Sequence, residues 1–522
     1  MLIVSNIKVA LDTDFNNLKG IAARELKTDI SNIEKSVLYR KSVDARKKDN
    51  VHFCISLLVS LKKNEKQIAN KSKNANEYKH TPYVWLKADK KPKTRPIVVG
   101  FGPAGMFAAL TLAKAGLNPI VLERGADADS RTKKVNEFLK DGTLDTETNV
   151  QFGEGGAGTF SDGKLNTGIK NPCCRTVLEV LNKNGAPDKI LTDAKPHIGT
   201  DILVNVVKNI RKEIISLGGE VRFNTCLKEI VFLNNKVVSI RTESQEIPCD
   251  NLILATGHSA RDTFQMLKSN GIYLQRKPFA MGVRVEHLQE DINKALYGKF
   301  WNSPYLNAAD YKLAAHLDNG RGVYTFCMCP GGEVINASSE LGAIAVNGMS
   351  NSLRNGRNAN SALLVNVNPE DFGGDDILAG CELQRKIERT AYKVCGGEVP
   401  ITTVGNFVFG EEAKLSKVKP TVTPRYRFAD FDTIFPDFIT ESLREGIKAF
   451  DRKISGFASP SAVLTAPETR SSSPVRVVRD EYSQSVSHIG VYPCGEGAGY
   501  AGGIVSAAVD GITVAENIVK SL

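Results

Sequence analysis

Residues 97 to 124 constrain this chain more than any other stretch. Ile97-Val98-Val99 is a short β-branched run of the kind buried in a parallel sheet, and Gly100-Phe101-Gly102-Pro103-Ala104-Gly105 follows at once. Met106, Leu110 and Ala113 then recur at helical spacing, and Gly116 supplies a stop. Ile120-Val121-Leu122 is the next strand; it ends on Glu123, 23 residues after Gly100, with Arg124 beside it. In such a unit Gly100 permits the tight turn, Gly102 lets the backbone approach a pyrophosphate, and Gly105 lets helix and strand pack closely. The helix N-terminus, starting at Pro103-Ala104, offers N–H groups and a positive dipole end to phosphate. A carboxylate at 123 accepts from both ribose hydroxyls, which disfavours NADP. A glycine turn alone is a weak signal. Strand, turn, helix, strand and acid in this order predict a dinucleotide-binding Rossmann unit.

Three later segments favour FAD over NAD. Leu252–Gly257 reads as a buried strand that runs into a small-residue turn at Thr256-Gly257, able to pass beneath a cofactor. Phe152–Lys164 is a glycine-dense loop, containing Gly158, Thr159 and Lys164, able to follow a large flat ligand. Gly495–Gly503 follows a strand and opens a helix whose positive end, near Gly502-Gly503-Ile504, suits the flavin edge that gains negative charge on reduction. The expected cofactor is therefore non-covalent FAD. No second GxGxxG unit is visible, so a nicotinamide would visit only transiently.

These segments resemble a known family. VVGFGPAGMFAAL, FGEGGAGTFSDGKL, LILATGHSARDT, FAMGVRVEH, TFCMCPGGEVINASSE and YPCGEGAGYAGGIVSAAVDG, together with KSVDARKK near the N-terminus, are similar to the bacterial FAD-dependent, or NAD(FAD)-utilising, dehydrogenases of the two-dinucleotide-binding-motif flavoprotein type. The resemblance implies FAD, a cytoplasmic setting and a redox role, but no substrate. It assigns the pyrophosphate to Gly100, Gly102, Pro103, Ala104 and Gly105, and the adenosine ribose to Glu123. Gly158, Thr159 and Lys164 lie near the flavin, and Thr256 and Gly257 lie under the cofactor. Gly495 and Glu496 belong to the ribityl-binding turn, and Gly502, Gly503 and Ile504 face the flavin pyrimidine. Cys494 departs from the small residue expected at its position.

The expected fold is α/β: a discontinuous Rossmann-like FAD-binding domain with an inserted mixed α+β substrate domain and a small N-terminal α+β module. The boundaries read as a module at 1–80, a linker at 81–95, FAD-binding parts at 96–270 and 475–522, and a cap at 271–474. In the module, Ile3–Leu11, Ile33–Lys41 and Val51–Lys62 read as strands and Asn16–Leu26 as a helix, suggesting a ferredoxin-like sandwich. Most of Lys62–Arg95 reads as a basic linker around the aromatic island Tyr83–Leu86. In the cap, strands are expected near Phe279–Val285, Gly322–Met328 and Ala343–Val346, and helices at Asp376–Val394 and Phe438–Phe450.

A net charge of +10 makes the surface mildly basic without naming a partner. The N-terminus lacks the features of a signal peptide and no run is long enough to span a membrane, so membrane partners are not expected. The ten cysteines show no CxxC or zinc spacing, so no metal site is expected. Thiols this scattered suit a reducing cytoplasm.

Candidate catalytic groups are Arg284, His287, Cys327 and Arg470. Arg284 and Glu286 share one face of a strand with His287 on the other, as an anion site, a proton relay or a structural ion pair. Cys327 and Cys329 share a face, as a redox pair or as two small core residues. Arg470 lies in the polar cluster Glu468–Arg476, as pocket lining or solvated loop. His258 follows the Thr256 turn. Three functions compete: a flavin oxidoreductase acting on a small molecule or electron donor, an RNA-modifying flavoprotein using the basic linker, and a non-catalytic FAD-binding scaffold. Nucleic acid is the disfavoured partner, and the oligomeric state is open.

Overall fold

A computed structural model of the chain describes residues 1–79 and 81–522. The run Ile97–Val99 forms the centre of a five-stranded sheet ordered Val491–Pro493, Leu252–Leu254, Ile97–Val99, Ile120–Leu122, Glu220–Arg222. Every pairing is parallel. The first four strands are buried at every residue, as expected of apolar runs covered on both faces. Helix Pro103–Lys114 is buried from Ala104 to Ala113. It sits close on the strand because residue 105 has no side chain: a Cβ there would stand 1.9 Å from the Gly100 carbonyl oxygen. The last helix, Ile504–Ser521, shares one apolar core with this helix and with Thr200–Ser216. The two ends of the Rossmann-like unit, 400 residues apart in sequence by order of magnitude, thus build a single layer pair, the α/β architecture expected.

The chain leaves this unit through Leu274–Arg276 and returns through Val475–Val477, and the two segments pair antiparallel. Between them lies a seven-stranded sheet ordered Ala314–His316, Gly322–Cys329, Asn358–Val367, Phe279–Leu288, Val463–Glu468, Val399–Thr403, Tyr426–Phe428. All its pairings are antiparallel except the last. Helices Ala379–Val394 and Asp437–Asp451 contribute to its main core. The expected strand at Ala343–Val346 is displaced: pairing starts at Val346 and runs to Met349, opposite Glu333–Asn336. The ten-residue strand Asn358–Val367 was not foreseen, although it pairs with Phe279–Leu288 along its whole length.

The N-terminal segment alternates strand and helix as βαββαβ, with sheet order Ile33–Asp44, His52–Leu61, Leu2–Val9, Ala75–Glu77. This is the ferredoxin-like order. The unit is completed by helix Glu65–Lys71 and strand Ala75–Glu77, both inside the stretch expected to be linker. Its outer strand does not face solvent throughout: Lys41 N–H donates to the Thr192 carbonyl at 2.8 Å, and Ala194 N–H donates to the Lys41 carbonyl at 2.8 Å. The aromatic island is also fastened. Tyr83 donates its hydroxyl to Glu516 at 2.5 Å, and the Lys114 ammonium lies 5.1 Å from the Trp85 ring centre. Among the described residues no helix is long and apolar enough to cross a membrane.

Candidate cofactor and substrate site

One cavity of about 590 Å³ opens where the strand ends of the parallel sheet meet the cap. Open α/β sheets bind ligands at this edge. Its floor is backbone: Gly100–Ala104, Gly156–Gly158, Ala255–Gly257 and Gly502–Ile504. The first turns of Pro103–Lys114 and Ile504–Ser521 therefore both open onto it. Gly102 keeps the floor clear. A Cβ there would meet no atom nearer than 3.7 Å, so it would project into free space that a bound pyrophosphate needs.

Glu123 is buried and organises the floor as well as lining it. Its carboxylate accepts from Phe101 N–H at 2.8 Å and from Gly125 and Gly153 N–H at 2.9 Å each. A carboxylate has about four acceptor positions, so roughly one remains for a ribose hydroxyl. Arg124 stacks on Phe152, with its guanidinium carbon 4.5 Å from the ring centre, and pairs with Asp262 at 2.9 Å. Arg131, which sequence reasoning missed, pins the glycine-dense loop from beneath. Fully buried, it donates to the carbonyls of Asn149, Val150 and Glu154 at 2.9, 2.9 and 2.7 Å. Burial lowers its pKa to about 10 against the raising effect of Glu123 and Glu154.

The roof is made of side chains. Glu388, fully buried on helix Ala379–Val394, accepts from two guanidinium groups. Arg261 approaches at 2.8 and 2.9 Å and Arg470 at 2.7 and 3.0 Å, while Thr469 adds a hydroxyl at 2.6 Å. Burial works against its charge, yet the two arginines outweigh it and hold the carboxyl far below the usual carboxylate range. Arg470 also donates to Ser339 and so has few donors left for a ligand, although it lines the cavity. Beside it, burial and the neighbouring Arg470 and Arg261 lower the His258 pKa to about 3, keeping the ring neutral.

Arg284 is not at the cavity wall. It is fully buried beneath the wall, bonded to Glu468 at 2.5 and 3.2 Å, Asn360 at 2.6 Å, Asn347 at 3.1 Å and the Cys327 carbonyl at 3.2 Å. The anion-site option is removed because these partners take up its donors. His287 lies in the cap core, with Nε2 at 2.8 Å from the Phe457 carbonyl and its ring 4.9 Å from the Phe457 ring, and does not border the cavity. Thr159 and Gly495 also turn inward: Thr159 is buried under the loop, and Gly495 N–H donates to Asp510 at 2.7 Å. Gly105 does not border the cavity, and its missing side chain lets the helix pack on the strand. Gly158, Lys164, Thr256, Gly257, Glu496, Gly502, Gly503, Ile504, Cys327 and Arg470 do line the space. Cys494 is buried in the core beside them.

Three protein-family profiles match consecutive stretches: a domain of unknown function at 1–60, "Pyridine nucleotide-disulphide oxidoreductase" at 94–278, and "FAD-dependent protein, C-terminal domain-like" at 278–471. An uncharacterised protein of Clostridium beijerinckii is 48% identical over 524 residues, covering 99% of this chain and 98% of its own. The chain belongs to this family of FAD-dependent flavoproteins. Solved structures with a similar course include the flavin-dependent brominase Bmp2 (12% identity, 83% of this chain and 79% of that one, TM-score 0.38) and glycine oxidase from Bacillus cereus (11%, 82% and 95%, TM-score 0.34). At those scores the assignment stands on the profiles and the full-length relative. The flavoprotein's cofactor is FAD. The clear space at Gly102, the nearly satisfied Glu123 and the two helix starts fit that group. Among the described residues no cluster of three or more His, Cys, Asp or Glu side chains could hold a metal ion.

Proposed function

We propose that this flavoprotein is an oxidoreductase of the dehydrogenase or reductase type, acting on a small organic molecule held between the cap and the flavin. The observation that carries this reading is the single cavity shared by the glycine turns near residues 100, 256 and 503 and by cap residues Tyr311, Cys327, Asn347 and Arg470. When bound, FAD supplies hydride transfer at N5. The chain's own residues supply place and charge. The N-terminus at Gly503-Ile504 favours negative charge beside it. Glu496 lines the cavity with its pKa raised to about 8, mainly by burial and partly offset by Lys277, so its carboxyl holds a proton at neutral pH. The cap strand Gly322–Cys329 lines the space through Thr325–Met328.

The purified chain is expected to be yellow and to release FAD on denaturation. Anaerobic titration with NADH, NADPH and a panel of amino and hydroxy acids is expected to bleach the oxidised flavin spectrum with at least one of them. A colourless chain that takes up no FAD would end this reading. A yellow chain that no donor bleaches would favour the non-catalytic alternative.

A further inference from the structure

Strand Gly322–Cys329 slips in register as it reaches the cavity. Phe326 pairs with Ala362, and the next pairing is Cys329 with Asn360. Cys327 sits in the slip with φ of +42°, a left-handed conformation uncommon away from glycine. The slip leaves Cys327 half-buried on the cavity wall and Cys329 fully buried behind it. The Cys329 thiol donates to the Cys327 carbonyl at 3.3 Å, which folds its sulfur back towards Cys327. Two thiols thus meet across one residue, one open to ligand and one sealed.

Charged groups approach from every side. Lys164, from the glycine-dense loop, has its ammonium buried without a hydrogen-bond acceptor, 3.3 Å from Asp162. Arg284, from strand Phe279–Leu288 on the far side of Asn358–Val367, reaches Cys329 Sγ at 3.8 Å. The acids nearby are largely neutralised: Asp162 pairs with Lys164 and Arg354, Glu468 pairs with Arg284, and Glu496 is protonated at neutral pH. The Cys329 thiol beside it, with help from Lys164 and Arg284, brings the Cys327 pKa down to about 5 against burial and Asp162. Cys329 moves the opposite way, driven by its hydrogen bond to Cys327 and by burial. The titrations of the two thiols are linked, and Cys327 is the one that ionises first. Cys226, the other cysteine on the cavity wall, has its thiol pushed up by burial.

We propose that Cys327 and Cys329 form a thiol–disulfide exchange pair facing the cofactor cavity, with Cys327 as nucleophile, Cys329 as resolving thiol and a small disulfide as substrate. The Cys327 thiolate attacks one substrate sulfur; a Cys327–substrate disulfide forms and the other half leaves as a thiolate, which takes a proton. Cys329 then gives up its proton and attacks Cys327 Sγ. The Cys327–Cys329 disulfide forms, and the second half leaves as a thiol. The substrate gains two electrons and the pair loses two. Only the return to the starting thiolate–thiol pair, which takes two electrons and one proton from reduced flavin, rests on the oxidoreductase reading above.

The test uses the full FAD-loaded chain, with iodoacetamide and cystamine as probes and peptide mass mapping as readout. At pH 7, Cys327 is expected to alkylate about tenfold faster than Cys226, because thiolate is the reacting form. Cystamine is expected to convert wild type to an intrachain Cys327–Cys329 disulfide, two hydrogens lighter. In Cys329→Ser it is expected to leave one cysteamine on Cys327, and Cys327→Ser is expected to take none at Cys329. Equal alkylation of Cys327 and Cys226, or wild type unchanged by cystamine, overturns the proposal. The wild-type measurements decide even where a variant misfolds. A chain that lacks bound FAD sinks the oxidoreductase reading, while alkylation and exchange still score the thiol pair.

Discussion

The floor and roof of the cavity are built on opposite principles. The floor presents backbone from four glycine-rich turns, held by Glu123, which gathers N–H groups and keeps a position for a ribose hydroxyl, and by Arg131, which gathers carbonyls from beneath. The roof presents side chains, and its integrity depends on the buried Arg261–Glu388–Arg470 cluster that joins the Rossmann-like unit to the cap. Backbone recognition suits a cofactor common to many chains. Side-chain recognition leaves freedom to choose a substrate. Stability should therefore be concentrated in the roof and cofactor affinity in the floor.

The strongest challenge to that division is Glu388→Ala. It removes the buried carboxylate shared by two guanidinium groups, leaving Arg261 with Glu340 at 3.0 Å and Arg470 with no acid among the described residues, and the expected loss is about 3–5 kcal/mol of unfolding free energy in denaturant titration. A loss below about 1 kcal/mol, the scale of an exposed pair, would show that the cluster is not the roof's anchor. Gly102→Ala probes the floor from the other side. The added methyl meets nothing within 3.7 Å, so apo stability should stay within about 0.5 kcal/mol. FAD affinity, followed by fluorescence quenching, should fall at least about tenfold, or about 1.4 kcal/mol. Equal affinity would move the pyrophosphate elsewhere.

Two pH experiments sharpen the contrast at smaller amplitude. The folded pKa of Glu496, about 8, exceeds its ordinary value of 4.5, so the folded apo chain binds more protons between these values and stability falls as pH rises through that window. Glu496→Gln should remove this slope, raising the apo melting temperature at pH 8 and leaving it nearly unchanged at pH 4.5. His258 has the reverse sign. Its folded pKa of about 3 lies below the ordinary 6.5, so its contribution is complete above 6.5 and is lost as pH falls towards 3. His258→Asn should flatten that acid limb, and an unchanged limb would mean that Arg470 and Arg261 do not hold the ring neutral.

The floor was legible in the sequence because its requirements are local. A turn out of a strand that must approach a phosphate needs glycine at fixed offsets, and Gly100, Gly102, Thr256 and Gly503 announce themselves by spacing. Thr159 and Gly495 lie in the same segments, but which way a loop residue turns depends on packing beneath it. The roof was largely illegible. Glu388 reads as one more polar position on an amphipathic helix, and nothing local ties it to Arg261 or Arg470, 127 and 82 residues away. Strand Asn358–Val367 was hidden because Asn358, Asn360 and Ser361 break its apolar run; in the structure Asn358 bonds Glu286 and Asn360 bonds Arg284. Helix Glu65–Lys71 contains no buried residue, so it left no apolar period to read.

The position of Ile504–Ser521 in the chain has a consequence for biogenesis. This closing helix contributes both a wall of the cavity and much of the core beside Pro103–Lys114. During synthesis the N-terminal unit and the cap can each bury their own apolar surface while the ribosome is still working. The nucleotide seat has no such head start. It is finished only once residues 504–521 are available to pack, so a chain truncated before residue 504 should fold in most of its length yet fail to retain FAD.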